Sequence, residues 1–192
     1  MTGVQTCALP IYLFGETVLS AFHRGFEFER NYHDARLVES ALKIGEFFVV
    51  SSYFVFCAWI EIERGRFGRA KAFSDKLMEI AETYDNEYAR SIKYEVSVRM
   101  NLKLRKLSEA LIEAEEGISI MDKEEFNGLI AYIYGHKAQV HILLKDMKSA
   151  EESLNVAREY ENKTGMIPPM WSSAVFLGEF IFNLRRLEQA VN

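Results

Sequence analysis

The chain has 192 residues, of which 49% are hydrophobic and 27% charged, with 3 Pro and 2 Cys. That apolar share suits a packed chain rather than a disordered one, and two cysteines cannot build a disulfide scaffold. A net charge of −5 and a pI near 5.5 argue against a protein that grips nucleic acid through its phosphates.

The chain opens with MTGVQTCALPI, Met1 to Ile11. This string resembles the translation of a common short-read sequencing adapter, and it lacks the basic leader and long apolar run of a signal peptide. Residues 1–11 are therefore expected to be adapter-derived, and residues 12–192 to be a piece of a longer protein, cut at both ends. Cys57 would then be the sole cysteine. Its apolar helical neighbours predict a buried, inert thiol.

An internal period organises residues 12–192. Ala70, Ala110, Ala150 and Ala190 are spaced by 40 residues, within the strings RGRFGRA, LRKLSEA, LKDMKSA and LRRLEQA. Phe67, Leu107, Met147 and Leu187 stand three residues before each alanine. RNYHDA supplies an earlier copy with Tyr32 and Ala35, after a first spacing of 35. Upstream columns recur as well: Leu19, Phe54, Tyr94, Tyr134 and Ala174, then His23, Ala58, Val98, Ala138 and Gly178, then Glu27, Ile62, Leu102, Ile142 and Phe182. These columns lie four residues apart, which places them on one face of a helix.

In chain order the pattern predicts helices at 13–29, 33–44, 47–64, 68–83, 87–104, 107–121, 126–144, 147–161, 170–184 and from 187 onward. Gly45, the polar run Thr83–Asn86, Met121–Lys123 and the Gly165 to Pro169 segment supply the stops. No alternating strand pattern with hairpin turns is present. Each helix pair has an apolar face that it cannot bury alone, so neighbours must stack into a continuous core. The apolar stretch Phe47 to Ile60 is too short for a membrane span of roughly 20 residues and predicts a buried central helix, the alternative being an apolar patch for a partner. At the far end, Phe180 and Phe182 are expected to be left uncovered near an incomplete hairpin that starts at Leu187.

Phe54, Ala58, Phe67 and Ala70 fall at the positions where the tetratricopeptide repeat has its small, aromatic and alanine places. On those residues the chain from Tyr12 to Asn192 resembles a TPR-like array of about four and a half repeats, longer in period than usual. The resemblance implies an all-α fold, a right-handed superhelix of antiparallel helix pairs (an α-solenoid). Arrays lengthened in this way look like those of large bacterial signalling ATPases, nucleotide-cyclase-linked proteins and STAND-type activators.

It also implies a concave surface made by the first helix of each pair. On that surface the ninth places hold Arg24, Trp59, Arg99, Gln139 and Glu179, and nearby places hold Ser52, Glu95 and Tyr132. Arg and Trp are common interface anchors, which favours Arg24, Trp59 and Arg99 as partner contacts. The Lys and Asn of the family's carboxylate clamp are replaced here by Ser20, Arg24 and Phe56, so chaperone-tail binding is not expected.

The sequence carries no Walker loop, G-x-S-x-G, H-E-x-x-H, C-x-x-C or EF-hand pattern. His136 and His141 lie five apart rather than four, which is poor for a helical metal pair. The acidic groups Glu113, Glu115, Glu116 and Asp122, Glu124, Glu125 read as solvated helix faces. The expectation is a cytoplasmic, noncatalytic module with no metal or cofactor. Its partner would be a protein, a peptide or another domain of the parent chain, with neither nucleic acid nor membrane. The alternative is the regulatory or sensor arm of a multidomain ATPase or nucleotide cyclase.

Overall fold

The computed structural model describes residues 35–165 and 169–191. The predicted helix 13–29, and Arg24 with it, lies outside these residues. Among the described residues every regular element is helical. The elements are α1 (Ala35–Lys43), α2 (Phe47–Glu63), α3 (Phe67–Tyr84), α4 (Glu87–Lys103), α5 (Leu107–Lys123), α6 (Asn127–Leu143), α7 (Met147–Thr164) and α8 (Pro169–Val191).

The structure halves the period seen in the alanines. Positive φ angles occur at Gly45, Gly65, Asp85, Arg105, Glu125, Lys145 and Gly165, one every twenty residues. Helices α2 to α7 each fill the interval between two of these points. Glycine meets the angle without strain at three of them. The other four carry a side chain into a region that costs an L-residue roughly 1–2 kcal/mol. After Arg105 and Lys145 the chain turns back so that Leu107 and Met147 pack against apolar neighbours, and Ala110 and Ala150 are fully buried.

The next step of the cadence would fall at Arg185, and there the chain does not turn. α8 runs straight from Pro169 to Val191, so the expected stop after 184 and the separate helix from 187 are not found. Leu187 is 64% exposed and Ala190 is exposed as well. With no described helix against these two residues, nothing offsets the strain of a turn, and helical continuation wins.

The chain divides between Val96 and Ser97, within α4, into two compact units. In the first, α2 packs against α1 and α3. α2 is apolar on all sides and buried accordingly, with Val50 to Phe56, Ala58, Trp59, Glu61 and Ile62 inside, as a central helix requires. Phe54 meets Phe73 at 5.9 Å between ring centres, and Phe47 meets Tyr84 at 4.5 Å.

In the second unit α6 packs against α5, α7 and α8, and α7 also touches α8. One core group joins Leu102, Ala110 and Val140, and another joins Ala138, Ile142, Leu154, Val175 and Phe182. Phe182 is thus buried, whereas Phe180, two residues away on another face, is 67% exposed. Gly135 sets the approach of α6 to α8: a Cβ there would lie 2.6 Å from the Val175 nitrogen. α7 is capped by Asp146, whose Oδ1 accepts a hydrogen bond from the Ser149 amide at 3.1 Å.

Candidate functional site

The described candidate residues lie on α2, α4, α6 and α8, the alternate helices of the chain. Most of them face one another rather than solvent. In the first unit the Ser52 and Tyr88 hydroxyls share a hydrogen bond of 3.0 Å. Seven residues along both helices, Trp59 Nε1 donates to the Glu95 carboxylate at 2.8 and 3.0 Å. In the second unit Arg99 Nη1 donates to the Tyr132 hydroxyl at 3.0 Å, and Gln139 Nε2 donates to the Ala174 carbonyl at 3.0 Å. Each bond is a rung between one helix and the next but one.

Ser52, Trp59, Glu95, Tyr132 and Gln139 are therefore buried, and the expectation that Trp59 presents its indole to a partner is corrected. Each of these side chains reaches the alternate helix before it reaches water. The amino-acid types were informative, because a buried carboxylate requires donors and the indole supplies one. Helical periodicity alone does not say whether a face meets solvent or another helix.

Arg99 and Glu179 are only partly buried. Glu179 accepts from Arg158 on α7, with Nε to Oε1 at 2.6 Å and a second bond from Nη2 to Oε2. These bonds hold the guanidinium firmly protonated and raise its pKa, and it lies 5.0 Å over the Phe176 ring. Tyr88 in the first unit and Arg158 in the second take part in these bonds, and neither was expected from the sequence. Tyr88 is visible in retrospect as the residue 36 positions after Ser52, the same offset that relates Trp59 to Glu95. Burial pushes its phenol up to about 12.

His136 is buried beside Tyr132 in the second unit. Its ring stands edge-on to Tyr132, with centres 4.5 Å apart, and neither ring nitrogen has a hydrogen-bond partner. Burial, with Arg99 and Lys103 nearby, drives its pKa down to about 3, so the imidazole is neutral. His141 is mostly buried, with a pKa also lowered chiefly by burial. Its Nδ1 lies 4.0 Å from Asp146, too far for a hydrogen bond. Cys57 has its thiol pushed up to about 12 by burial, against a lowering hydrogen bond with Tyr53, which makes it a poor nucleophile.

Among the described residues no three His, Cys, Asp or Glu side chains converge as a metal site, and no helix is long and apolar enough to cross a membrane. A cleft of about 520 Å³ opens between the turn after α6 and the last turns of α8, lined by Ile142, Leu143, Met147 and Arg185 among others. The chain matches no protein-family model, no curated protein and no solved structure at a significant level.

Proposed function

We propose that this chain is a noncatalytic TPR-like α-solenoid, its antiparallel pairs winding in a right-handed superhelix, that mediates protein–protein contact within a larger cytoplasmic regulatory protein. The observation that carries this reading is the pattern of rungs. Within each unit, side chains of one first helix bond to the next first helix, which ties those helices laterally into a firm surface. Such a surface suits recognition of an extended partner, and the absence of nucleophile, phosphate-loop and metal motifs from the sequence agrees with a binding role. Of the eight candidate residues, Arg99 and Glu179 keep enough exposure to touch a protein or peptide ligand. Tyr132 holds Arg99, and Arg158 holds Glu179.

The test is crosslinking and affinity capture with the intact parent protein. The expected result is a protein partner whose capture is weakened by Arg99→Ala and Glu179→Ala. Capture of no partner by a folded parent would overturn the reading. A second reading, the regulatory arm of an ATPase or nucleotide cyclase, is supported by the lengthened 40-residue step. A nucleotide-binding motif in the adjoining reading frame, with a catalytic rate that changes on deleting this array, would distinguish it from a free-standing adaptor.

A further inference from the structure

The second unit carries opposite charge on its two edges. Leu102, Ala110 and Val140 share a core group, which sets the turn after α4 beside the end of α6. Lys145 and Arg185 line one cleft, which sets the turn after α6 beside α8. The far ends of α5 and α7 lie about a helix length away, roughly 25 Å, and meet where Tyr160 donates to Asp122 at 3.0 Å. The first edge carries Lys103, Arg105, Lys106 and Lys145, all exposed. The far edge carries Asp122, Glu124, Glu125 and Glu159, also exposed. A chain of net charge −5 thus keeps a cationic margin. Several basic groups there are already satisfied. Lys148 lies 3.8 Å from Glu152, Arg185 lies 2.7 Å from Glu188, and Arg186 lies 3.9 Å from Glu151. Asp146 is engaged by the Ser149 amide. Arg105, Lys106 and Lys145 have no carboxylate partner, and Glu109, exposed at the start of α5, offsets one of the three. Beside Lys145 opens the cleft of about 520 Å³, with Ile142, Leu143 and Met147 as its apolar lining.

We propose that this edge binds an extended acidic segment of a partner protein, with a carboxylate at every third residue and an apolar side chain for the cleft. Charge complementarity selects the acid, and the packing of the helices selects the spacing. Arg99 bonds directly to Tyr132, so α4 and α6 are packed neighbours with axes roughly 8–10 Å apart. Their cationic turns are separated by about that distance. An extended chain advances roughly 3.3 Å per residue, so every third side chain reaches the next turn. One carboxylate then meets Arg105 and Lys106, and the next meets Lys145. Beyond Lys145 the segment arrives at the cleft, where an apolar side chain leaves water. Leu104 and Leu144, exposed at the same two turns, offer apolar contact along the way. An anionic membrane is the poorer fit. Segments held to lipid by charge carry about four to eight basic residues, whereas three are unpaired here, on a chain whose net charge such a surface repels. This inference rests on the reading of the chain as a protein-binding module and names the class of partner. Its residues are distinct from Arg99 and Glu179.

The test is fluorescence anisotropy of the 192-residue chain with a labelled peptide of Glu-Ser-Leu repeated about four times. Beside it run a peptide of the same composition with its glutamates grouped at one end, and one with Lys in place of Glu. The expected result is binding of the first peptide that weakens about tenfold between about 50 and 200 mM salt, weaker binding of the grouped peptide and none of the Lys peptide. Arg105→Glu with Lys145→Glu is expected to weaken binding at least about tenfold. Both turns can hold Glu, since Glu125 has the same left-handed angle. Glu124→Lys with Glu125→Lys moves the net charge as far in the other direction, but from the far edge, beyond the screening length, and is expected to alter binding less than about twofold. No binding of the first peptide overturns the proposal. So does equally tight binding of the grouped or the Lys peptide. Equal and opposite effects of the two double variants overturn it too, because net charge alone would then account for them. Association with phosphatidylserine vesicles in place of the peptide, lost on Arg105→Glu with Lys145→Glu, overturns it in favour of a membrane. If the charge-reversed chain loses its helical dichroism, the three peptides on the unmodified protein decide alone. Capture of a partner through Arg99 and Glu179 does not use this edge, so failure here leaves the broader reading standing.

Discussion

Three stretches of this chain carry nearly the same heptapeptide, and they do not fold alike. LRKLSEA at 104–110 and LKDMKSA at 144–150 turn at their second residue, whereas LRRLEQA at 184–190 stays helical. The local sequence permits the turn but does not impose it. A left-handed Arg or Lys is strained, and the strain is tolerated where the following helix buries its alanine and the apolar residue before it. Ala110 and Ala150 have no exposed surface, while Ala190 lies open to solvent. The turn is thus a tertiary event written in a locally ambiguous code.

That contrast can be broken most forcefully at the alanines. Ala110→Trp would overpack a closed helix crossing and is expected to cost roughly 3 kcal/mol or more. Ala190→Trp is expected to change stability by no more than about 0.5 kcal/mol. Denaturant unfolding of the pair reads the difference, and equal effects would sink the assignment of Ala190 to an unburied position.

The anchored half of α8 is tested at Gly135. Alanine in a helix interior ordinarily gains about 0.5–1 kcal/mol over glycine. Here its Cβ would strike the α8 backbone, and a loss of about 2 kcal/mol is expected instead. Gly68→Ala in α3, where the added carbon meets nothing within 4 Å, should show the ordinary gain. The opposite signs, measured as shifts of melting temperature, separate a helix held by contact from one that is not.

His136 adds a pH dependence to the second unit. Its pKa falls from 6.5 to about 3 on folding, so below pH 6.5 the unfolded chain takes up a proton that the folded chain refuses. Its contribution is complete above pH 6.5 and declines toward acid until about pH 3, by about 1.4 kcal/mol per pH unit within that window. His136→Leu should remove this slope from unfolding curves compared at neutral and mildly acidic pH. An unchanged slope would assign the acid sensitivity to the carboxylates.

The smallest expected effect is also the sharpest discriminator. Arg105→Gly and Lys145→Gly relieve a positive φ and are expected to stabilise by about 0.5–1 kcal/mol. Arg185→Gly, placed within a helix, is expected to lower helix stability by a similar amount. If all three variants moved stability in the same direction, the difference between turning and straight heptapeptides would not lie in the backbone of that one residue.

Much of this architecture is legible in the sequence. The ends of α2 to α6 fall within two residues of the positions predicted from the apolar columns, and α7 runs three residues further. Ala70, Ala110 and Ala150 are buried where a close helix crossing asks for a small side chain. The half-period was hidden because Asp85, Arg105, Glu125 and Lys145 occupy turns that glycine would have advertised. The surface residues were harder still. Trp59, Glu95 and Tyr132 have the chemistry of a recognition site, and they also have the chemistry of a buried polar pair. Only the position of the alternate helix decides between the two. For α8, the heptapeptide favoured a turn that depends on what lies against Leu187, and no amino acid in that string encodes it.

The equal spacing of the turns also governs how a chain of this kind can change in length. One residue inserted within a helix rotates everything after it by about 100°, which would swing the notch at Gly135 away from Val175 and part the rungs beyond it. A block of about forty residues, added or removed between equivalent turns, leaves every face pointing where it did. Growth by whole steps is thus compatible with the fold, growth by single residues is confined to the short turns, and the ruler is the distance from one left-handed residue to the next.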